Sequence, residues 1–117
     1  MTTMRSAEEV FAHHGQALGA EDVEEIVSDY TDDATLVLHG TVYRGKDGAR
    51  EVFTQLLRDV PKATWDLDTV FADDILYLEW KARSGDTARH IDDGIDTFVF
   101  AEGKIRVQTV QYSVAQG

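Results

Sequence analysis

The sequence predicts an α+β fold with its helices in the N-terminal half, and three observations carry that reading. Three apolar stripes at helical spacing lie before Pro61, the only proline. After it, apolar residues alternate with polar ones, the period of half-buried strands. Consecutive strand segments are joined by tight turns, which favours antiparallel pairing. The 117 residues suit one domain, and no internal repeat, low-complexity tract or linker divides them. A single domain over residues 1–117 is expected, with an ordered core of about 6–114.

The first helix opens on Ser6-Ala7-Glu8-Glu9, the serine and glutamate of a capping box. Its apolar stripe is Val10, Phe11, His14, Ala17 and Leu18, and Gly19 is expected to end it. The second helix starts near Glu21 and Asp22, with Val23, Ile26, Val27 and Tyr30 as its stripe. Asp32-Asp33 breaks the pattern, and Thr35 to Leu38 reads as a short strand. A turn follows, with a further short strand through Val42 and Tyr43. Asp47 is the expected N-cap of the third helix, which buries Val52, Phe53, Leu56 and Leu57. Trp65, Leu67, Thr69 and Phe71 mark one strand; Leu76, Leu78, Trp80 and Ala82 mark the next. Ser84-Gly85-Asp86 is a turn into a long strand, Ala88 to Phe100, in which Gly94 suggests a bulge. A hairpin turn at residues 101–104 leads to a last strand, Ile105 to Val114.

Charge and composition exclude several function classes. The formal net charge is −11, and the eleven cations are scattered, so nucleic acid and anionic membranes are unfavourable partners. No run without Asp, Glu, Lys or Arg, Ala34 to Tyr43 among them, is long enough to span a bilayer. No apolar signal core stands near Met1, so a cytoplasmic location is expected. Without cysteine there are no disulfides, thiolate nucleophiles or cysteine-held metals. Gly40 to Lys46 approaches a P-loop, but Asp47 stands where Ser or Thr would hold magnesium and would repel phosphate. His13 and His14 are neighbours on a helix, about 100° apart, and do not readily share an ion. His90, Asp92 and Asp96 form only a weak metal pattern, so neither a metal nor a cofactor is expected.

Two polar residues stand on apolar faces. His14 lies at the centre of the first helix's stripe, and Asp96 shares a strand face with Phe98 and Phe100. A carboxyl group so placed must be paired, hydrated or protonated, and desolvation raises its pKa toward values useful in acid/base work. A neutral imidazole nearby could position water or relay a proton. A purely structural pairing of Asp96, for instance with Arg106 across the hairpin, is the alternative. Tyr30, Phe53, Trp65, Trp80 and Tyr112 are read as core or as the walls of a pocket.

The order of these segments resembles the SnoaL-like branch of the nuclear transport factor 2-like superfamily. The resemblance rests on Tyr30-Thr31-Asp32-Asp33-Ala34-Thr35, on Tyr43-Arg44-Gly45-Lys46-Asp47-Gly48, and on Asp96-Thr97-Phe98-Val99-Phe100 before Gly103-Lys104-Ile105. It implies a cone of strongly curved antiparallel sheet closed by three helices around a pocket, often as a homodimer through the sheet face. Ile105, Val107, Tyr77 and Ile95 would furnish that face. The pocket would be lined by Tyr30, Leu38, Phe53, Trp65, Leu78, Trp80, Val110 and Tyr112. Relatives include ketosteroid isomerases, polyketide cyclases, dehydratases and epoxide hydrolases. At the positions matching the isomerase's first-strand base and helix tyrosine stand Leu38 and Ala17, so that mechanism is not carried over. Asp96 matches the acid/base aspartate of SnoaL-like cyclases. The epoxide hydrolases' Asp-Arg-Asp arrangement finds only Asp92, Arg89 and Asp96. The resemblance thus implies a cofactor-independent acid/base enzyme of isomerase, cyclase or dehydratase type, with Asp96 and His14 catalytic and a small apolar cyclic or carbonyl compound as substrate. The alternatives are a non-catalytic ligand-binding module and a dimeric interaction domain.

Overall fold

The computed structural model describes residues 4–117. Helix α1 spans Ala7–Gly19 and has the full capping box: Glu9 N donates to Ser6 Oγ at 3.1 Å, and Ser6 N donates to Glu9 Oε1 at 2.8 Å. Helix α2 is Val23–Ser28, capped by Asp22, which accepts from Glu25 N. Tyr30 is not the end of its stripe. It opens strand β1, Tyr30–Leu38, which starts five residues earlier than the sequence pattern suggests. Asp32 and Asp33 are tolerated there because they are exposed where the ladder to the neighbouring strand is interrupted, between Tyr30 and Thr35.

Strand β2 is Thr41–Arg44, and helix α3 is Gly45–Asp59. Asp47 is not the N-cap of α3; Arg44 holds that place without a side-chain cap. Gly45, at φ 68°, turns the chain directly from β2 into the helix. Asp47 falls in the first turn, where it accepts from Arg50 at 2.7 Å. Strands β3 (Thr64–Ala72), β4 (Ile75–Arg83), β5 (Arg89–Ala101) and β6 (Lys104–Gln111) form a meander, and β7 (Ala115–Gln116) pairs with the start of β5. Strand β6 therefore ends at Gln111, earlier than Val114, and after a short break the chain continues along β5 in the same direction as β7.

The sheet runs β2-β1-β6-β5-β4-β3, curved and unclosed, with the three helices against its inner face. Five of its six strand pairings are antiparallel; β1 and β6 are parallel. Tight turns join only β1–β2 and β3–β6, whereas β1 and β6 are separated by most of the chain, so their pairing is free to run either way. Alternation puts Leu36 and Leu38, Leu76, Leu78, Trp80 and Ala82, Phe98, Phe100 and Val110 inward. There they meet Val10, Phe11, His14, Ala17 and Leu18 of α1 and Ala49, Val52, Phe53 and Leu56 of α3. Ile105 also faces inward, fully buried, because a register shift between Val99 and Phe100 reverses the alternation of the last hairpin. It cannot belong to the outer face with Val107, Tyr77 and Ile95. Strand β3 is an edge, and its inward row stays half-covered: Leu67 is 36% exposed. No helix among the described residues is long and apolar enough to cross a membrane.

Candidate functional site

Asp96 reaches the interior through a bulge. Trp80 pairs with Gly94 but Ala82 with Ile91, so β5 holds one extra residue at Asp92-Asp93. The bulge reverses the alternation: Asp92 and Asp93 are exposed, while Gly94, Asp96 and Phe98 point inward. His90 pairs with exposed Asp92 at 3.2 Å and does not join Asp96. Among the described residues no three His, Cys, Asp or Glu side chains gather as a metal site. Arg89 also lies away, reaching toward the Arg58 carbonyl, and Arg106 is exposed, whereas Asp96 faces Val110.

Asp96 is 5% exposed, and both its oxygens accept from neutral donors. Trp80 Nε1 donates to Oδ1 at 2.9 Å, and Gln108 Nε2 donates to Oδ2 at 2.9 Å. The Tyr30 hydroxyl donates in turn to Gln108 Oε1. Gly94 makes the first of these contacts possible, since a Cβ there would lie 2.1 Å from the Trp80 indole. Burial pushes the Asp96 carboxyl up to about 7, against the two hydrogen bonds, which pull it down. Near neutral pH it therefore exists in both charge states.

His14 sits across the same cavity, 3% exposed. Its ring lies 5.2 Å from Phe53, 5.7 Å from Phe98, 5.9 Å from Phe11 and 6.2 Å from Tyr30. Its Nδ1 finds no hydrogen-bond partner among the described residues. Burial pushes its pKa down to about 4, so at neutral pH it is an uncharged imidazole, with one N–H and one acceptor.

Between these groups is a cavity of about 20 Å³, room for about one water molecule. It lies between α1 and the edge strand β3. Six of the sequence-predicted residues line it: His14, Phe53, Trp65, Leu78, Trp80 and Asp96. Leu38, Val110, Asp96 and Leu78 form one continuous inner row across β1, β6, β5 and β4, but Leu38 and Val110 stand behind the cavity wall. Tyr30 packs behind His14 and Phe53. Tyr112 covers the other side of Trp80, with ring centres 5.6 Å apart, and donates to Asp59 Oδ2 at 2.7 Å. Burial and Asp59 push its hydroxyl pKa up. The sequence reading missed Phe11, Gly15, Leu18, Leu56 and Leu67 in the lining, and Gln108 behind Asp96. The signal for Gln108 was present: it is polar and lies on the inward row next to Val110. Larger hollows, of about 490 and 660 Å³, lie open on outer surfaces and hold no buried titratable group.

Comparison with known proteins bears on this geometry. Residues 10–108 match the family described as a SnoaL-like domain. No curated protein sequence matches the chain. Among solved structures, the chain is similar to SalBIII, an epoxide hydrolase/cyclase-like enzyme of pyran ring formation in the polyether salinomycin. The TM-score is 0.77, with 21% identity and 95% of each chain covered. IdmH, a candidate polyketide cyclase from Streptomyces antibioticus, gives 0.75, 15% identity and 93% of each chain. A protein of Kribbella flavida described as a candidate ketosteroid isomerase gives 0.74 and 11% identity, covering 95% of this chain and 80% of the other. At these identities the likeness establishes the cone fold.

Proposed function

Because the chain belongs to the SnoaL-like domain family, in the nuclear transport factor 2-like superfamily, we propose that it is a cofactor-independent acid/base catalyst acting on a small, largely apolar, cyclic or carbonyl-containing molecule. The observation that carries this reading is Asp96: a buried carboxyl group without a cationic partner, facing a cavity with aromatic walls. As carboxylate it would take a proton from carbon next to a carbonyl, the electron pair moving onto the carbonyl oxygen. The N–H of the uncharged His14 would donate to that oxygen, and Asp96 would return the proton at a second atom. An isomerisation or a ring closure follows according to where the electron pair goes. A cavity of about 20 Å³ does not hold such a substrate, so the wall must yield on binding. Edge strand β3, paired on one side only, is the wall with least to hold it.

The test is a thermal-shift screen against cyclic ketones, steroids, aromatic polyketide mimics and terpenoids, followed by turnover. A ligand at a hundred times its Kd adds about 2.7 kcal/mol. Turnover of a hit should fall at least 100-fold in Asp96→Asn with binding retained. Binding without product, unaffected by Asp96→Asn, would instead make the chain a ligand-binding module.

A second reading, assembly through the sheet, is favoured by the outer face. Val42, Val37, Thr109, Thr97, Tyr77 and Val70 form one uncharged row across all six long strands. On a chain of net charge −11, this row is the surface best suited to a second copy. Sedimentation should show a dimer that Val107→Asp dissociates; a monomer at all concentrations would end that reading.

A further inference from the structure

A buried carboxyl group that changes charge during a reaction needs surroundings that satisfy both of its states. The donors now facing Asp96 suit the carboxylate: an indole N–H on Oδ1 and an amide N–H on Oδ2. The protonated acid instead carries a hydrogen that must be accepted. Trp80 cannot accept it, since an indole nitrogen only donates. Gln108 can, if its amide turns half a revolution and presents Oε1 to Asp96.

We propose that the Gln108 amide turns over in step with the proton on Asp96, and that the Tyr30 hydroxyl closes the arrangement in either state. In the carboxylate state Tyr30 donates to Gln108 Oε1, as seen here. In the acid state the turned amide would donate through Nε2 to the Tyr30 oxygen, while Asp96 donates to Oε1. A hydroxyl donates and accepts through a single oxygen, so Tyr30 can meet either end of the turned amide. The terminal torsion of glutamine is broad and roughly two-fold, so the turn needs no backbone movement. Gln108 is 1% exposed and Tyr30 fully buried, so bulk water is not there to do the same work. Gln108 and Tyr30 are positioning residues, acting through Asp96.

The other titratable groups facing this chain of contacts are His14 from α1 and Tyr112 after β6. The charge of Asp29 also reaches Tyr30 and His14. From α3 the facing residues, Phe53 and Leu56, carry no charge. The inference rests on the reading of Asp96 as the proton-transferring group, and the experiment separates the two.

The full chain, labelled with ¹³C and ¹⁵N, is titrated by NMR from pH 4 to 9. The Asp96 carboxyl carbon should titrate near pH 7. Above the midpoint, the Gln108 side-chain amide protons should show contacts to the Trp80 indole proton. Below it, these should be replaced by contacts to the Tyr30 ring. An amide pattern unchanged through the Asp96 midpoint overturns the inference and leaves the acid/base role of Asp96 standing. An Asp96 that does not titrate in this range overturns both. Gln108→Met takes a partner from both states; the bond to the carboxylate is charge-assisted and the stronger of the two, so the Asp96 midpoint should rise. A role confined to packing would lower the melting temperature without moving that midpoint, and would also overturn the inference.

Discussion

Asp29 and Asp96 are both nearly fully buried aspartates, yet the protein treats them in opposite ways. Asp29, 1% exposed, lies between α2 and β1 and is held by two basic side chains. Arg5 donates to Oδ1 at 3.0 Å, and His13 Nδ1 approaches its oxygens at 2.7 and 2.8 Å. The Asp29 carbonyl also accepts from Ile105 N at 2.7 Å, and Arg5 reaches on to the Gly103 carbonyl. This residue joins α1 to the start of the parallel β1–β6 pair. Asp96, 5% exposed, meets only neutral donors, so its charge is left free to change. The difference lies in the partners, not the burial. His13 and His14 repeat the lesson one residue apart: Asp29 raises the first, and burial lowers the second to about 4.

The largest expected effect separates these groups by pH. Asp96 is raised, so its contribution to stability is full at low pH and lost as pH rises toward 7. His14 is lowered, so the unfolded chain binds more protons between pH 4 and 6.5, and stability rises there with pH. Below about pH 6.5 the two slopes oppose each other and hide one another in the wild type. Relative to it, Asp96→Asn should gain about 4 kcal/mol between pH 4 and 7. His14→Phe should lose about 3 kcal/mol between pH 4 and 6.5. Urea unfolding across that range reads both, and parallel curves for all three proteins would remove the basis of the comparison.

Asp29→Ala comes next, with a loss of about 2 kcal/mol from the two charge-assisted contacts. The loss should be greater at pH 6 than at pH 9. His13 is raised, so its share is present below its unfolded pKa and lost as pH rises through the folded one. Thermal melts at the two pH values check this, and equal losses would mean that Arg5 alone carries the pair. Tyr112→Phe removes the single bond to Asp59 at the far side of Trp80, and should cost about 1 kcal/mol in the same assay.

How much of this was legible beforehand follows from the range of the forces involved. Helical and alternating stripes are local, so α1, α3 and the β3–β6 meander could be read directly. The parallel β1–β6 pair could not, because no local pattern says which distant strand lies beside β1. Asp96 and His14 could be picked out as polar residues on apolar stripes. Their surroundings could not be, since the bulge at Asp92-Asp93 decides which of His90, Asp92 and Asp96 share a face. Gln108 stood out as a polar residue on an inward row, but its meaning depends on Tyr30, which the helical stripe of α2 had claimed.

The smallest effect sharpens the contrast between a fixed site and one that must open. Gly15 is an interior residue of α1, next to His14, and it lines the Asp96 cavity. A Cβ added there meets nothing within 4 Å. Gly15→Ala should therefore stabilise the protein by up to about 1 kcal/mol, through helix propensity alone. Gly15→Leu keeps the helix but pushes its side chain into the slot between α1 and β3. If ligands enter there, Gly15→Leu should melt no lower than wild type yet lose the shift that a hit from the ligand screen produces. A variant that is equally stable and still binds would place the entrance elsewhere, on the side that Tyr112 covers.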